Sequence, residues 1–188
     1  MPSIRKARAI TGNDYTLRNA ETRDAQFILA LRNDEGKRRY ISATANDLEL
    51  QIGWLKDYER DMSQAYFVIE TTAGEPAGTI RMYDQKDDSF CFGSWIVKRG
   101  VPAVCAVESV LILYHYAIDV LGFSRSYFAV RKPNRSVWRF MENFGAKRSG
   151  ETAADFLYET TREPVLRAFA RYARYLPRPI QVSHDPVS

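Results

Sequence analysis

The segment from residue 123 to residue 146 constrains the fold most, because its hydrophobic period changes from two to about 3.6 with almost no loop between the two patterns. Residues 123–132 alternate and are rich in aromatic and β-branched side chains, which predicts a β-strand. Pro133 lacks a backbone donor and disfavours helical dihedral angles at the preceding residue, so the strand must end there. Asn134 is a residue type that caps helices, and we expect its side-chain oxygen to accept a backbone N–H from the first turn. The helix ends at Gly145, and its apolar stripe comprises Val137, Phe140, Met141 and Phe144.

Hydrophobic spacing predicts two amphipathic helices closer to the N-terminus. The first begins after Glu21 and buries Ala25, Ile28 and Leu29, a face that also carries Arg32. A long cation on that face must either extend to solvent or point into a cleft. The second helix is predicted to be capped by Asn46, with a buried face that comprises Leu48, Ile52, Leu55 and Tyr58.

Alternating and β-branched runs predict most of the remaining elements. Strands are expected at residues 14–19, 65–71, 76–83, 89–97 and 155–162, and further helices at 104–121 and 163–176. Short turns join the three strands between residues 65 and 97, which indicates an antiparallel meander. Gly93 weakens the last of these strands unless a bulge or the close approach of another group uses its missing side chain. The pattern predicts an α+β fold with helices flanking a central sheet.

The length of 188 residues suits one domain with a substantial core. We assign that domain to residues 14–176, with a flexible N-terminal segment at 1–13 and a tail at 177–188. The first ten residues lack the apolar core of a signal peptide, and no uninterrupted apolar run is long enough to span a membrane. A cytoplasmic location is therefore expected.

Residue counts exclude several kinds of chemistry. Two cysteines, Cys91 and Cys105, cannot form a disulfide framework and are consistent with a reducing compartment. The chain has two histidines, His115 and His184, too few and too scattered for a Ser-His-Asp triad or a His-rich zinc site, and we predict no metal. A net charge of +4 is too small to indicate a nucleic-acid partner, although it favours the approach of a polyanionic cofactor such as coenzyme A.

The strand with Val130, the Asn that follows four residues later, the short helix and Gly145 eleven positions after Asn134 resemble the C-terminal half of the GNAT superfamily of acyl-CoA N-acyltransferases. The similarity extends in order over about residues 14–162. It implies an α/β/α layered GNAT fold, with a mixed, mostly antiparallel sheet whose fourth and fifth strands, here 89–97 and 123–132, splay apart. An ordinary β-α unit of another α/β domain is the alternative interpretation.

The resemblance also implies where acetyl-CoA binds. In the family, a bulged fourth strand pairs with the pantetheine amides, the N-terminus of the following helix holds the pyrophosphate, and the Asn lies beside the cofactor. The loop of the family usually reads Arg/Gln-x-x-Gly-x-Gly/Ala, and Val101, Val104 and Ala106 stand at these three positions, so only Ala106 matches. The cofactor-binding residues predicted on this basis are Trp95, Ile96, Val97, Val101, Val104, Cys105, Ala106, Asn134, Val137 and Met141.

The resemblance leaves the catalytic acid open. Many relatives carry a Tyr seven residues after the Asn to protonate the departing thiolate, but this position is Met141, which cannot donate. We predict catalytic roles for Asn134, for Glu70 as a base acting through water, and for Tyr158 as an acid. The alternatives are that Glu70 is an ordinary carboxylate of a turn or the surface and that Tyr158 is an ordinary core tyrosine. Cys105, at a helix N-terminus, is either an acyl-accepting thiol or a small packed residue.

Arg32, Tyr83 and Trp54 are predicted to bind the acceptor, since aromatic side chains suit stacking on a sugar or base. The resemblance predicts an acetyl-CoA-dependent N-acetyltransferase acting on the primary amine of a small molecule, with an amino sugar linked to a nucleotide as the favoured acceptor. The alternatives are a protein N-terminal acetyltransferase and a catalytically silent module of the same fold. A homodimer is also a possibility for this chain.

Overall fold

The computed structural model describes residues 1–41, 43–176 and 179–184. The strands of this part of the chain are β1 Ala9–Thr11, β2 Tyr15–Asn19, β3 Ala65–Thr71, β4 Pro76–Lys86, β5 Ser89–Val97, β6 Arg125–Arg131, β7 Lys147–Glu151, β8 Asp155–Thr161 and β9 Gln181–Ser183. The helices are α1 Ala25–Asn33, α2 Leu48–Arg60, α3 Val104–His115, α4 Arg135–Phe144 and α5 Arg162–Arg171.

The strands form one mixed sheet in the order β7-β8-β6-β5-β4-β3-β2-β1-β9. The β5–β6 pair is parallel, and every other neighbouring pair in the described part of the chain is antiparallel. A parallel pair needs a crossover, and α3 supplies it between β5 and β6.

Successive side chains of β3 point to opposite faces of the sheet and define two helical layers. Tyr66 and Val68 pack with α1 and α2 in one buried cluster. Phe67 and Ile69 belong to the larger cluster, which includes the buried faces of α3, α4 and α5. The predicted α+β fold with a layered arrangement and a mixed sheet is confirmed.

The segment predicted to be flexible, residues 1–13, is instead part of the folded sheet. It contains β1, which pairs with both β2 and β9, and it buries Ile4, Ala7 and Ile10. These apolar residues are spaced three apart among arginines and lysines, so the polar composition of the segment does not reveal that one of its faces is buried. Because β1 precedes the first predicted strand, the predicted fourth and fifth strands are β5 and β6.

Several element boundaries also differ from prediction. The cap of α2 is Asp47, whose Oδ1 accepts from the backbone N–H of Leu50 at 3.1 Å, and Leu48 is exposed rather than buried. The helix predicted at 104–121 changes to a π-helical turn at Tyr116–Val120. Strand β7, which is highly charged, was not predicted. The predicted tail contains β9, while its residues 177–178 and 185–188 lie outside the described part of the chain.

Candidate active site

The strands β5 and β6 are paired at one end and separate at the other. Their parallel register joins Ser89 with Arg125, Phe90 with Ser126 and Cys91 with Tyr127. Beyond Cys91, the register of β5 in the described part of the chain is with β4 alone, and that of β6 is with β8 alone. The two facing edges therefore have backbone groups outside any sheet ladder, which is the opening that the resemblance predicted.

A β-bulge lies in β5 beside this opening. The register with β4 shifts between Thr79, opposite Ile96, and Arg81, opposite Gly93, so that one residue of β4 faces two residues of β5. Ser94 has a φ of 46°, a left-handed conformation that is uncommon outside glycine. The hydroxyl of Thr79 donates to the carbonyl oxygen of Ser94 at 2.8 Å and fixes the peptide in this geometry.

Removing that hydrogen bond with Thr79→Val is expected to lower stability by about 1 kcal/mol, because a partly buried carbonyl loses its partner. Turnover should fall by roughly 3- to 10-fold, since the bulge would be less well oriented. The measurements are the denaturation midpoint and kcat. Thr160→Val is the matched control for stability, because the Thr160 hydroxyl is buried without a hydrogen-bond partner in the described structure. Equal effects of the two substitutions would contradict this role of Thr79.

The loop before α3 and the start of this helix are the predicted site of the cofactor pyrophosphate. Helix α3 begins after Ala103, which offers no side-chain cap to the first-turn N–H groups. Lys98 and Arg99 are exposed just before it. The left-handed residue of the loop is Gly100, with a φ of 80°, so Val104, which stands where the family pattern has a glycine, needs no left-handed conformation. The loop is reshaped but remains compatible with an anionic group.

Cys105 is enclosed rather than presented to a ligand. Its side chain is fully buried, and burial together with the nearby Glu108 raises the pKa of the thiol to about 12. A protonated, inaccessible thiol is a poor nucleophile, which favours the packed-residue interpretation. Glu108 is also structural, because its Oε1 accepts backbone N–H groups from Asn13, Asp14 and Tyr15 at 2.6, 2.8 and 3.1 Å.

Helix α4 lies on the α3 side of the opening. Asn134 precedes it, but its side chain makes no capping bond to the first turn, contrary to the sequence prediction, and its Oδ1 accepts only from the Ser136 hydroxyl at 3.3 Å among the described contacts. The amide is thus free of a helix-capping role. Trp95 of β5 packs against Phe140 of α4, with ring centroids 5.5 Å apart, and this contact joins the two sides of the opening.

The other predicted cofactor residues are placed as follows. Val97, Val101, Val104 and Val137 are partly buried against the main core, whereas Ile96 and Met141 are buried. Ala106 is half-buried in the first turn of α3. These residues surround the opening and the start of α3, and their roles toward the cofactor stay predictions.

Two adjoining cavities lie on the face of the sheet that also carries α1 and α2. The larger, about 740 Å³, extends from the α1–α2 connection across β5, β6 and β8. The smaller, about 240 Å³, lies between α1, α2 and β4. Arg32, Tyr83 and Ser94 line both cavities, so the bulge of β5 is at their junction. A volume of this size is typical of small-molecule sites.

The structure brings the three predicted acceptor residues together. Arg32, Trp54 and Tyr83 all line the smaller cavity. Tyr83 also explains Gly93, because a Cβ at position 93 would lie 2.9 Å from the Tyr83 hydroxyl and 3.0 Å from its ring. The sequence predicts a bulge or the close approach of another group at Gly93, and the structure shows both.

The structure places Glu70 away from this region. Glu70 is on β3, with β4 between it and β5, and its Oε1 accepts from Nε of Arg18 at 2.7 Å. Arg18 also pairs with Asp24 at 2.7 Å, which makes Glu70 one of the two carboxylates that are hydrogen-bonded to this guanidinium. This position suits a structural ion pair and not a base at the opening.

The hydroxyl of Tyr158 is directed to the face covered by α4. It donates to Oε1 of Glu142 at 2.7 Å, and the ring stacks on Phe128 with centroids 5.4 Å apart. Burial, and then the bond to Glu142, raise the pKa of the phenol. Both effects make Tyr158 a weaker proton donor than an exposed tyrosine.

The sequence does not point to two residues of this region. Thr79 bonds to Ser94 at the bulge, and Arg81 lines the smaller cavity. The alternation of side chains along a strand indicates where Arg81 lies. Arg81 and Tyr83 are two residues apart on one strand and therefore share a face, although apolar Ile80 and Met82 flank the arginine.

A mixed sheet with diverging central strands, a bulge beside the opening and an uncapped helix N-terminus defines an acyl-CoA-binding transferase architecture. Residues 14–147 match the family model described as an acetyltransferase (GNAT) domain. The chain belongs to this family and is an acyl-CoA-dependent N-acetyltransferase. No curated protein matches the sequence significantly.

Solved structures agree with this assignment. One of them is apo FdhC, described as a nucleotide-linked sugar GNAT, with 34% identity, a TM-score of 0.80, and coverage of 89% of this chain and 98% of that chain. A mutant of the SpeG spermidine N-acetyltransferase from Vibrio cholerae has 18% identity and a TM-score of 0.71, with coverage of 81% and 96%. A GCN5-related N-acetyltransferase from Brucella melitensis has 15% identity and a TM-score of 0.76, with coverage of 94% and 89%. At these lower identities the last two show the shared fold.

Among the described helices, none combines the length and the apolar content that crossing a bilayer requires.

Proposed function

We propose that this chain transfers the acetyl group of acetyl-CoA to a primary amine on a nucleotide-linked amino sugar. The similarity over nearly the whole chain to FdhC, described as a nucleotide-linked sugar GNAT, supports this choice of acceptor. The observation that carries the proposal is the cavity of about 740 Å³ that reaches the bulge of β5. It has room for a ligand much larger than a simple amine.

The lining of this cavity suits the chemistry of a nucleotide sugar. Tyr40, Tyr83 and Tyr127 offer ring faces for a base or a sugar, and Lys86 and Arg125 add positive charge near the rim. Both cations also have acidic neighbours, Asp84 and Asp88, so the rim combines donors with acceptors for sugar hydroxyls. Such a mixed polar lining fits a glycosyl nucleotide better than a polyamine, which would require an excess of carboxylates.

Acetyl-CoA supplies the thioester that is converted into an amide. The protein must hold the amine close to the carbonyl carbon and stabilise negative charge on the carbonyl oxygen. The proposed donors are those backbone N–H groups of residues 94–97 that point away from β4, toward the edge of β5 that lacks a partner. Orientation by the bulge and the acceptor cavity is then the main source of rate enhancement, with proton removal through water.

The test is thiol release from acetyl-CoA across a panel of acceptors. We expect nucleotide-linked amino sugars to give the highest kcat/KM, above the corresponding free amino sugars, spermidine and short peptides with a free N-terminus. A preference for peptides would instead support the protein N-terminal acetyltransferase. A preference for spermidine or a free sugar would also overturn the proposed acceptor.

Asn134→Ala is expected to raise KM for acetyl-CoA by roughly 5- to 10-fold, which corresponds to one lost hydrogen bond. Because the Asn134 side chain does not cap α4, the melting temperature should change little. Steady-state kinetics and thermal denaturation measure the two effects. Asn143→Ala, an exposed position near the end of the same helix, is the matched control. Unchanged kinetics for Asn134→Ala would remove this residue from the cofactor site.

A further inference from the structure

The smaller cavity has an unusual charge distribution. Arg32 and Arg81 both line it, together with Thr44, Gln51 and Tyr66, and none of the described residues of its wall is a carboxylate. Two guanidinium groups that share a small cavity repel each other unless an anion or solvent lies between them. The composition of the wall therefore favours a negatively charged occupant.

Arg81 lacks the ion pair that a buried cation normally has. Its Nε is inaccessible to solvent and has no hydrogen-bond partner, and no carboxylate of the described residues is within 4.0 Å of its side-chain nitrogens. Its guanidinium carbon is 4.4 Å from the ring centroid of Tyr83 and 5.2 Å from that of Trp54. The aromatic rings hold the guanidinium in place but do not satisfy its donors, because a ring face is not equivalent to a carboxylate.

A second donor without a partner lies beside Arg81. The hydroxyl of Tyr66 is inaccessible to solvent and makes no hydrogen bond of good geometry with the described residues. Burial raises the pKa of this phenol, and its polar neighbours Thr79 and Arg32 partly oppose that effect. Arg32 is fixed at the same wall, since its Nε donates to the Thr44 hydroxyl at 2.6 Å. Two unsatisfied donors and a second cation thus converge on one small space.

We propose that this cavity is a subsite for an anionic group of the acceptor, a phosphate or a carboxylate, bound by Arg81, Arg32 and the hydroxyl of Tyr66. The inference rests on the proposed function, because it names the part of the acceptor that this subsite holds. Ser94 lines both cavities, so an anion here would lie next to an amine held at the bulge. In a nucleotide-linked amino sugar the nearest such group is the phosphate on the anomeric carbon, and in an amino uronic acid it is the sugar carboxylate.

Inorganic phosphate is the probe for the subsite itself. Phosphate should raise the melting temperature of the wild-type protein, because a ligand that binds only the folded state stabilises it. This phosphate-dependent rise in melting temperature should be lost in Arg81→Met. It should be partly retained in Arg81→Lys, which keeps the charge but not the Nε donor. Arg167→Met removes the same charge from an exposed position on α5 and should respond to phosphate as the wild type does.

The stability of these variants without phosphate separates a binding role from a structural one. Arg81→Met should match or exceed the wild type in melting temperature, because it removes a buried cation that has no ionic partner. A large fall in melting temperature would make Arg81 a structural residue. A phosphate-dependent shift of Arg81→Met equal to that of the wild type would also overturn the subsite.

Kinetics then distinguish the source of the anion. Arg81→Met should raise KM for an anionic acceptor by about 10- to 100-fold, the effect of losing a charged hydrogen bond, and leave KM for acetyl-CoA unchanged. A loss confined to amino-sugar phosphates identifies phosphate, and a loss confined to amino uronic acids identifies carboxylate. Equal kinetics of the variant and the wild type on both would refute the inference.

The subsite and the proposed function can fail separately. If phosphate protects the wild type and not Arg81→Met, but no nucleotide-linked amino sugar is acetylated, the subsite stands and the acceptor class is wrong. If the wild type and Arg81→Met acetylate nucleotide-linked amino sugars equally well, the acceptor class stands and the subsite is wrong.

Discussion

Gly93→Val is expected to reduce kcat/KM for the amine acceptor by about 100-fold or more, the effect of a displacement of about 1 Å in a positioned reactant. Even a single Cβ at this position would lie 2.9 Å from the Tyr83 hydroxyl and 3.0 Å from its ring, closer than ordinary van der Waals contact. The valine must therefore push Tyr83 away and fill the junction of the two cavities. Steady-state kinetics with varied acceptor measure this loss.

Two further measurements make the result specific. Acetyl-CoA should still raise the melting temperature of Gly93→Val, since the start of α3 is unaffected by the substitution. Gly53→Ala is the control, because nothing lies within 4 Å of its added Cβ in α2. It should keep full activity and gain up to about 1 kcal/mol in stability. Near-normal acceptor kinetics in Gly93→Val would show that the cavity junction is not the acceptor site.

Arg18→Met is expected to have the largest effect on folding, a loss of about 3–5 kcal/mol in the free energy of unfolding. Arg18 is bound to Asp24 and Glu70, each at 2.7 Å, and the three side chains are largely buried. Removing the cation leaves two carboxylates close together in a site that excludes most solvent. For a chain of this length the melting temperature should fall by roughly 6–20 °C, as measured by calorimetry.

Arg23→Met is the matched control for this prediction. Arg23 pairs with Glu21 at 2.8 Å, but its side chain is 67% exposed, so the pair contributes little to stability. We expect its melting temperature to change by no more than about 2 °C. A similar small change in Arg18→Met would mean that the buried network is not a significant source of stability.

The central part of the fold was predictable from local pattern. The change of period at Pro133, the three strands of the meander and Gly145 each depend on neighbouring residues, and the structure places their elements as expected. The separation of β5 and β6 came from family resemblance and not from periodicity. It is a tertiary feature, because the sequence of either strand is compatible with full pairing.

The N-terminal segment and the Arg18 network show why the rest was not predictable. Residues 1–13 carry too few apolar side chains to indicate a strand, and β1 is stabilised by pairing with β2 and with β9, which is 170 residues away in the sequence. Glu70 was interpreted as a possible base because its chemistry fits. Its partner Arg18 is on a different strand, and the sequence does not reveal which cation a carboxylate will meet.

The acceptor region was predicted in part. Arg32, Trp54 and Tyr83 lie on separate elements, and the structure gathers them at one cavity. The sequence does not predict a role for Arg81, because an arginine in an apolar strand has no local signature of its surroundings. Arg81 matters because none of the described residues places a carboxylate next to its guanidinium. Which side chains surround an arginine is decided by the folded chain and not by the local sequence.

The short pairing between β5 and β6 has a mechanical consequence. Hydrogen bonds connect the two halves of the sheet over only three residue pairs, so side chains must hold the halves in register beyond that point. Phe92 packs on Phe128 with ring centroids 5.6 Å apart, and Trp95 packs on Phe140 at 5.5 Å. These rings act as spacers that set the width of the gap. Changes in their volume would therefore alter how closely the two reactants approach, and not only how firmly the chain is folded.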